Sequence, residues 1–326
     1  MSKQRPFIQY KNTVPGIFSR RINRFVAEVL IDGKKERVHV KNTGRLQELL
    51  VPDAKVTLQI AKNPERSTAY DLISVYKPRL RWVNIDSLAP NELMKQHLMS
   101  LNYDVIKPEY NFGDSRFDFY MERDGERYLT EVKGCTLAAD LKRGIGLFPD
   151  APTKRGVKHL DELAAAAKEG YHCEIAFVIQ MNGIHMVFPN CETQPEFGQA
   201  LIRAARAGVQ VACYGCHVEA DSIKITGVAG DAMRYASRPE IQEISREQRI
   251  AFYEEIFDEL QAADPAAGIS VELQSKYRIL EEYYTSAKWR EDYEADEAGQ
   301  LSPDLKRGVL SQDGVYDLLE RLGEKL

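Results

Sequence analysis

The 326-residue sequence predicts an α/β (α+β) protein in three parts. These are a small β-barrel over residues 1–82, a mixed sheet flanked by helices over 83–244, and a helical module over 245–326. Three observations carry this reading. Residues 1–82 form a series of short strand-like runs broken by turn pairs. Residues 83–244 alternate helical spacing with apolar strands, the pattern of a sheet covered by helices. Residues 245–326 show mainly 3.6-residue spacing and turn acidic. The charge distribution follows the same divisions. Residues 1–82 carry 17 Lys and Arg against 7 Asp and Glu, residues 83–244 carry 17 against 23, and residues 245–326 carry 10 against 19. One basic module on an acidic chain is an electrostatic footprint for nucleic acid, which the net charge of −5 conceals.

In the first part the runs Arg24 to Ile31, Glu36 to Val40, Lys55 to Ile60 and Tyr70 to Tyr76 are separated by turn signals. These are Asp32–Gly33, Asn42–Thr43–Gly44, Pro52–Asp53 and Asn63–Pro64. At this size an OB-like barrel is the leading candidate. Such barrels hold single strands with a basic groove and stacking aromatic residues. Arg20, Arg21, Arg24, Lys41 and Arg45 are the candidates for phosphate contact, although each alone also reads as a solvated surface charge.

The second part opens with a helix near Glu92 to Leu101, in which His97 lies in a mostly apolar stripe and reads as packed. A hairpin follows. Arg116 to Glu122 and Tyr128 to Val132 are strand-like, and Asp124–Gly125 between them is a favoured two-residue turn. That turn sets Arg123 against Glu126 and, counting back, Asp118 against Glu131. Lys133 shares the face of Glu131, and Val132 points away. Two facing carboxylates need a neutralising cation, and a hard divalent ion with oxygen ligands would serve. With a lysine beside them, the arrangement suits metal-assisted phosphodiester hydrolysis. The same residues also read as charges on the wet face of a surface hairpin.

Glu109, just ahead of the first hairpin strand, either reaches the metal end of the sheet or only begins a strand. Gly134, Gly144 and Gly146 loosen the segment after Lys133, where Asp150 reads as an extra carboxylate or a turn former. Thr153 caps a helix that runs to about Lys168 and stops at Gly170. Arg155, Lys158, His159 and Glu162 share one side of it, suited to gripping a phosphate. Cys173 to Gln180 reads as a buried strand, Phe197 to Ala207 as a helix and Val209 to Tyr214 as a strand.

The third part reads as helices from Glu247 to Ala262, from Ser270 to about Trp289 and from about Gly314 to Leu322, with an acidic loop before the last. Five cysteines, an odd count, argue against a disulfide framework, and Cys213–Tyr–Gly–Cys216–His217 is a coincidental match to a haem-attachment string. No apolar run approaches the ~20 residues of a membrane span. The start of the chain lacks the apolar core of a signal peptide, so a cytoplasmic protein is expected.

The string GDSRFDFYMERDGERYLTEVKGCTL, followed by GLFPDAPTKRGVKHLDEL, resembles the sugar fermentation stimulation protein (SfsA) family. The upstream RINRFVAEVLIDGKKERVHVKNTGRLQELLVPDAKV resembles that family's N-terminal part. The resemblance covers about residues 15 to 235. It implies an OB-like domain followed by a PD-(D/E)xK nuclease-like domain, with Asp118 as the first acid and Glu131 and Lys133 as the E-x-K. It also implies a metal set of Asp118, Glu131, Glu109 and the Val132 carbonyl for Mg²⁺ or Mn²⁺. Lys158 and His159 join the catalytic group. Arg20, Arg24, Lys41, Arg45 and Arg155 then contact nucleic acid, and Asp150 falls in a family segment. The proline that usually precedes the first acid is Phe117 here. The expected function is DNA or RNA hydrolysis; the alternative is a non-catalytic DNA-binding regulator of sugar metabolism on the same scaffold. The segment WREDYEADEAGQLSPDLKRGVLSQDGVYDLL, residues 289–319, resembles a small uncharacterised bacterial domain family.

Overall fold

The computed structural model describes residues 5–63, 65–113, 115–231, 246–263 and 271–323. The chain divides into two compact units, residues 1–236 and 237–326. The first unit holds both the barrel and the central sheet.

Strand β1 (Phe7–Gln9) lies outside the barrel and pairs with the last strand of the central sheet. The barrel is built from β2 (Thr13–Arg21), β3 (Val26–Ile31), β4 (Lys34–Val40), β5 (Lys55–Ile60) and β6 (Tyr70–Lys77). They run in the order β4-β3-β2-β5-β6, and β4 pairs with β6 to close the ring. Strand β7 (Arg81–Asn84), outside the runs expected from the sequence, pairs antiparallel with β6. Strand β2 also lies outside the runs expected from the sequence, and it carries Pro15 and Gly16. The structure gives Gly16 a packing reason: a Cβ there would lie 2.6 Å from Val29 Cγ1 and 2.8 Å from Leu58 Cδ1. Glycine lets three strands approach at one point.

The central sheet has seven strands among the described residues, and helix α1 (Ala89–Met99) precedes most of them. They are β8 (Val105–Phe112), β9 (Ser115–Arg123), β10 (Glu126–Cys135), β13 (His172–Ile179), β15 (Gln210–Glu219), β16 (Ser222–Asp231) and β1. Strand β8 takes the stretch read from sequence as a lead-in, Pro108 and Glu109 included. Strands β10, β13 and β15 are parallel neighbours at its centre. Helix α1 covers one face with Leu93, Met94 and Leu98 against Phe119, Val132 and Val178. Helices α2 (Lys154–Lys168) and α3 (Pro195–Arg206) cover the other through Leu160, Leu163, Phe197 and Leu201. That second core is continuous with the barrel interior at Phe18, Val29 and Leu58. The glycine-rich segment after Lys133 is not a loop. It forms a small sheet of β11 (Leu137–Asp140), β12 (Ile145–Phe148) and β14 (Met186–Pro189). His97 rests its ring edge-on against Tyr214, as a packed residue would.

In the second unit, helices span Arg246–Ala262, Val271–Tyr284, Ala287–Glu297 and Gln312–Gly323. The single helix expected from Ser270 to Trp289 is broken because Ser286 caps a new one, its side chain accepting from Trp289 N. The segment read as an acidic loop is this helix. Asp292 is fully buried and bound by Arg249 and Tyr283, and Asp296 is bound by Arg307. Among the described residues no helix is long and apolar enough to cross a membrane.

Gly16→Ala should cost about 1–3 kcal/mol, the usual penalty for overpacking against side chains that cannot withdraw. Urea unfolding followed by circular dichroism measures it, and an unchanged midpoint would show that β2 is less tightly crossed than described.

Candidate active site on the central hairpin

The hairpin turn has the expected geometry. Asp124 and Gly125 both have positive φ, +54° and +81°, as a type I′ turn requires. Register runs from Glu126↔Arg123 to Thr130↔Phe119. One step further, where Asp118 and Glu131 come level, the strand ladder stops and a side chain takes over. Asp118 Oδ2 accepts from Val132 N at 2.8 Å, and Asp118 Oδ1 accepts from Asn91 Nδ2 at 2.6 Å. Asn91 is the third residue of α1, beyond the capping position, so its amide is available for this distant bond.

Glu131 is 3% exposed. Its Oε1 accepts from Lys133 Nζ and from His159 Nδ1, and the latter contact is 2.5 Å. On the far side of the ring, His159 Nε2 accepts from Arg155 Nε at 3.2 Å. This chain of bonds defines the tautomer: the proton sits on Nδ1, toward Glu131. Helix α2 is fixed in place for the purpose by Thr153, whose hydroxyl accepts from Gly156 N. The second carboxylate oxygen, Glu131 Oε2, is buried with no hydrogen-bond partner.

The two carboxylates are perturbed in opposite directions. Burial raises the Asp118 pKa, and the Glu131 charge raises it further; Val132 N–H, Lys133 and Asn91 only partly offset this. Burial pushes Glu131 upward too, but the bonds from His159 and Lys133 outweigh it and hold Glu131 below the ordinary carboxylate range.

The structure does not gather every residue singled out from sequence. Glu109 has φ +55° at a skipped position in the β8–β9 pairing, level with Asp118, and its carboxylate forms an ion pair with Arg116 at 2.9 Å on the surface. That ion pair leaves the Glu109 side chain 55% exposed, whereas Glu131 is buried. Lys158 pairs with Glu162 on the exposed side of α2. Asp150 lies against the barrel, accepting from Leu46 N at 3.4 Å. In the barrel, Arg20 pairs with Glu28, and Lys41 is tied to Asp86 at 2.7 Å. Arg24 and Arg45 are exposed. Arg21, weighed as a phosphate ligand, instead donates to four backbone carbonyls: those of Arg24, Asn42, Gly44 and Arg45. Asn91 escaped sequence reasoning. An Asn inside a first helical turn, where capping does not need it, was the available signal.

Among the described residues no cluster of three or more His, Cys, Asp or Glu side chains is assembled as a metal cage. What the cluster offers is the two carboxylates of Asp118 and Glu131. That suits a hard cation that keeps waters and shares phosphate oxygens, rather than a closed protein cage.

Three known families match this chain in succession. Residues 20–85 match the SfsA N-terminal OB domain, residues 87–222 the sugar fermentation stimulation protein RE domain, and residues 250–326 a domain of unknown function, DUF4298. A sugar fermentation stimulation protein homolog of Desulfitobacterium hafniense (strain DSM 10664 / DCB-2) is 46% identical over 227 residues, covering 69% of this chain and 96% of that protein. A homolog from Clostridium beijerinckii is also 46% identical, over 222 residues, covering 67% and 96%. The solved structure of Pyrococcus furiosus SfsA in complex with Ca²⁺ superposes with a TM-score of 0.62 at 26% identity, covering 70% of this chain and 98% of that one.

Asp118→Asn should raise the melting temperature at neutral pH. A carboxyl whose folded pKa is raised is better tolerated protonated, so its ionisation penalises the fold as pH climbs from the unfolded pKa through the folded one. The advantage of Asn should shrink toward zero in acid, where Asp118 is itself neutral. Melting curves across that pH range check the sign; a destabilised variant at pH 7 would contradict it.

Proposed function

The chain belongs to the sugar fermentation stimulation protein family, and on that premise we propose that it is a metal-dependent nuclease hydrolysing phosphodiester bonds of DNA or RNA. The observation that carries the reading is Glu131: a buried carboxylate with one oxygen held by His159 and Lys133 and the other without a partner, beside Asp118. A buried acceptor left unmatched is costly, and a cation is the natural match. Asp118, Glu131 and the Val132 carbonyl would hold Mg²⁺ or Mn²⁺, and the Pyrococcus furiosus relative was solved in complex with Ca²⁺, an ion of the same hard class. Such an ion, when bound, polarises the phosphoryl oxygen and lowers the pKa of water.

The chain's own groups then have distinct tasks. Lys133, on the rim of the cluster, orients the attacking water and steadies developing negative charge on the phosphoryl group. His159 keeps Glu131 ionised and aimed through its Nδ1–H, and its Nε2 receives a hydrogen bond from Arg155. Arg155 and Lys158, both exposed at the start of α2, offer cations to the neighbouring phosphates. On the barrel Arg24 and Arg45 are the better-placed phosphate ligands. Arg20 contributes less because of Glu28, and Lys41 least because of Asp86.

The test is cleavage of labelled single- and double-stranded DNA and RNA with Mg²⁺, Mn²⁺ or EDTA. Metal-dependent cleavage is expected, with Lys133→Ala and Glu131→Ala each lowering the rate by at least about a hundredfold. Binding should weaken steeply with salt through counterion release. Wild-type protein that binds DNA and cleaves nothing under any of these conditions would favour the DNA-binding regulator instead.

A further inference from the structure

A cleft of about 330 Å³ opens between the barrel and the central sheet, lined by Arg24, Thr43, Phe148, Asp150, Thr153 and Gln180 among others. A second hollow of about 610 Å³ shares Arg24, Thr43 and Ala151 with it and continues past Arg45 over the barrel surface. The inner cleft borders the hairpin cluster through the chain. Its Gly134 follows Lys133, and its Thr153 caps the helix that carries Arg155 and His159. Two of its walls are built for closeness. A Cβ on Gly44 would lie 2.4 Å from Asp150 Oδ2, and one on Gly134 would lie 2.3 Å from Gln180 Oε1.

The rim is rigid as well. The Arg21 guanidinium clamps the carbonyl of Arg24 on one side of the mouth and those of Asn42, Gly44 and Arg45 on the other. Asn23 Oδ1 accepts from the amides of Phe25 and Val26, which holds the turn after β2. This fixed turn exposes two large apolar side chains, Phe25 at 51% and Ile22 at 41%, on either side of Arg24. An exposed aromatic ring on a hydrogen-bonded turn, next in sequence to an arginine that lines a polar cleft, can serve as a stacking platform.

We propose that this cleft takes one unpaired nucleotide of a single strand, with the neighbouring base stacked on Phe25. The inference rests on the nucleic-acid reading above and narrows it. A cleft of about 330 Å³ matches one nucleotide better than a base pair. The polarity orders the nucleotide within the cleft. Asp150 in the inner lining repels a phosphate and accepts from base N–H groups, while Arg24 and Arg45 at the rim attract the backbone. The base points in and the phosphates stay at the mouth.

The test is fluorescence anisotropy on the full chain in EDTA, so that binding is read without cleavage. The probes are a short single-stranded DNA, the same sequence as RNA, and a DNA duplex. Single strands should bind more tightly than the duplex, and the two single strands show which sugar is preferred. Ala151→Trp, which fills the throat, and Phe25→Ala, which removes the platform, should each weaken single-strand binding about tenfold and leave duplex binding unchanged. Arg24→Ala should reduce the slope of log affinity against log salt by about one. Unchanged single-strand affinity in both Ala151→Trp and Phe25→Ala, with wild-type melting temperatures, overturns the proposal. Duplex binding and cleavage without single-strand preference also overturns it and leaves the nuclease reading intact. No binding to any probe in EDTA overturns this proposal and leaves the nuclease reading to the cleavage assay with metal.

Discussion

The first unit is arranged around a carboxylate that cannot stand alone. Glu131 sits near the middle of the central sheet, on a strand flanked by β9 and β13, and is only 3% exposed. Breaking a buried charge pair typically costs about 3–5 kcal/mol, so the partners of Glu131 constrain what surrounds them. Helix α2 must place a histidine over the strand, which requires its start at Thr153 and its rotation about Leu160 and Leu163. Lys133 must come from the same strand, two residues on. Asp118 then occupies the remaining side and replaces a ladder hydrogen bond with its own carboxylate. The outcome is a lopsided pair: one acid held ionised by two donors, the other burdened by burial and by its neighbour's charge. A site of this kind stores unfavourable electrostatics that a cation would relieve.

The barrel and the central sheet meet through polar groups as well as through a shared apolar core. Gln180 donates to Asn84 Oδ1 and to the carbonyl of Asp86, and Asn84 donates to the Tyr10 hydroxyl. Tyr10 donates in turn to Asp86, which also holds Lys41. Buried networks of this type reward one arrangement and penalise displacement, because each misplaced member leaves another unmatched. The cleft between the two modules is therefore a feature of fixed dimensions.

How much of this was legible depended on whether a local rule and the tertiary requirement agreed. They agreed at Asp124–Gly125, where a two-residue turn determines register over the whole hairpin. That is why Asp118, Glu131 and Lys133 could be placed together by counting. They agreed again at Thr153 and Gly170, the two ends of α2. They disagreed wherever glycine or proline serves packing instead of a turn. Gly16 lies inside a barrel strand, Pro108 inside β8, and Gly146 inside β12, and each disguised its strand as a loop. Long-range pairings left no local trace at all. Nothing near Arg21 marks it as a clamp on two loops, and nothing near Glu109 announces that Arg116 will take its charge. The helical module was read as helical, but its internal break at Ser286 depends on one hydroxyl capping a new helix.

The pairing of β1 with β16 makes the barrel an insertion. Strand β1 belongs to the central sheet, with Tyr10 N bonded to the Asp221 carbonyl and Ile225 N to that of Pro6, and the chain then leaves to build the barrel before returning. The two modules are consecutive in composition but nested in topology. They are consequently not severable by a single cut. A fragment starting after residue 82 would lose its outermost strand and bare a row of unpaired amides and carbonyls along β16, the kind of edge that invites aggregation. Any shuffling of this barrel onto another scaffold, by evolution or by design, has to carry its few leading residues along or find another cover for that edge.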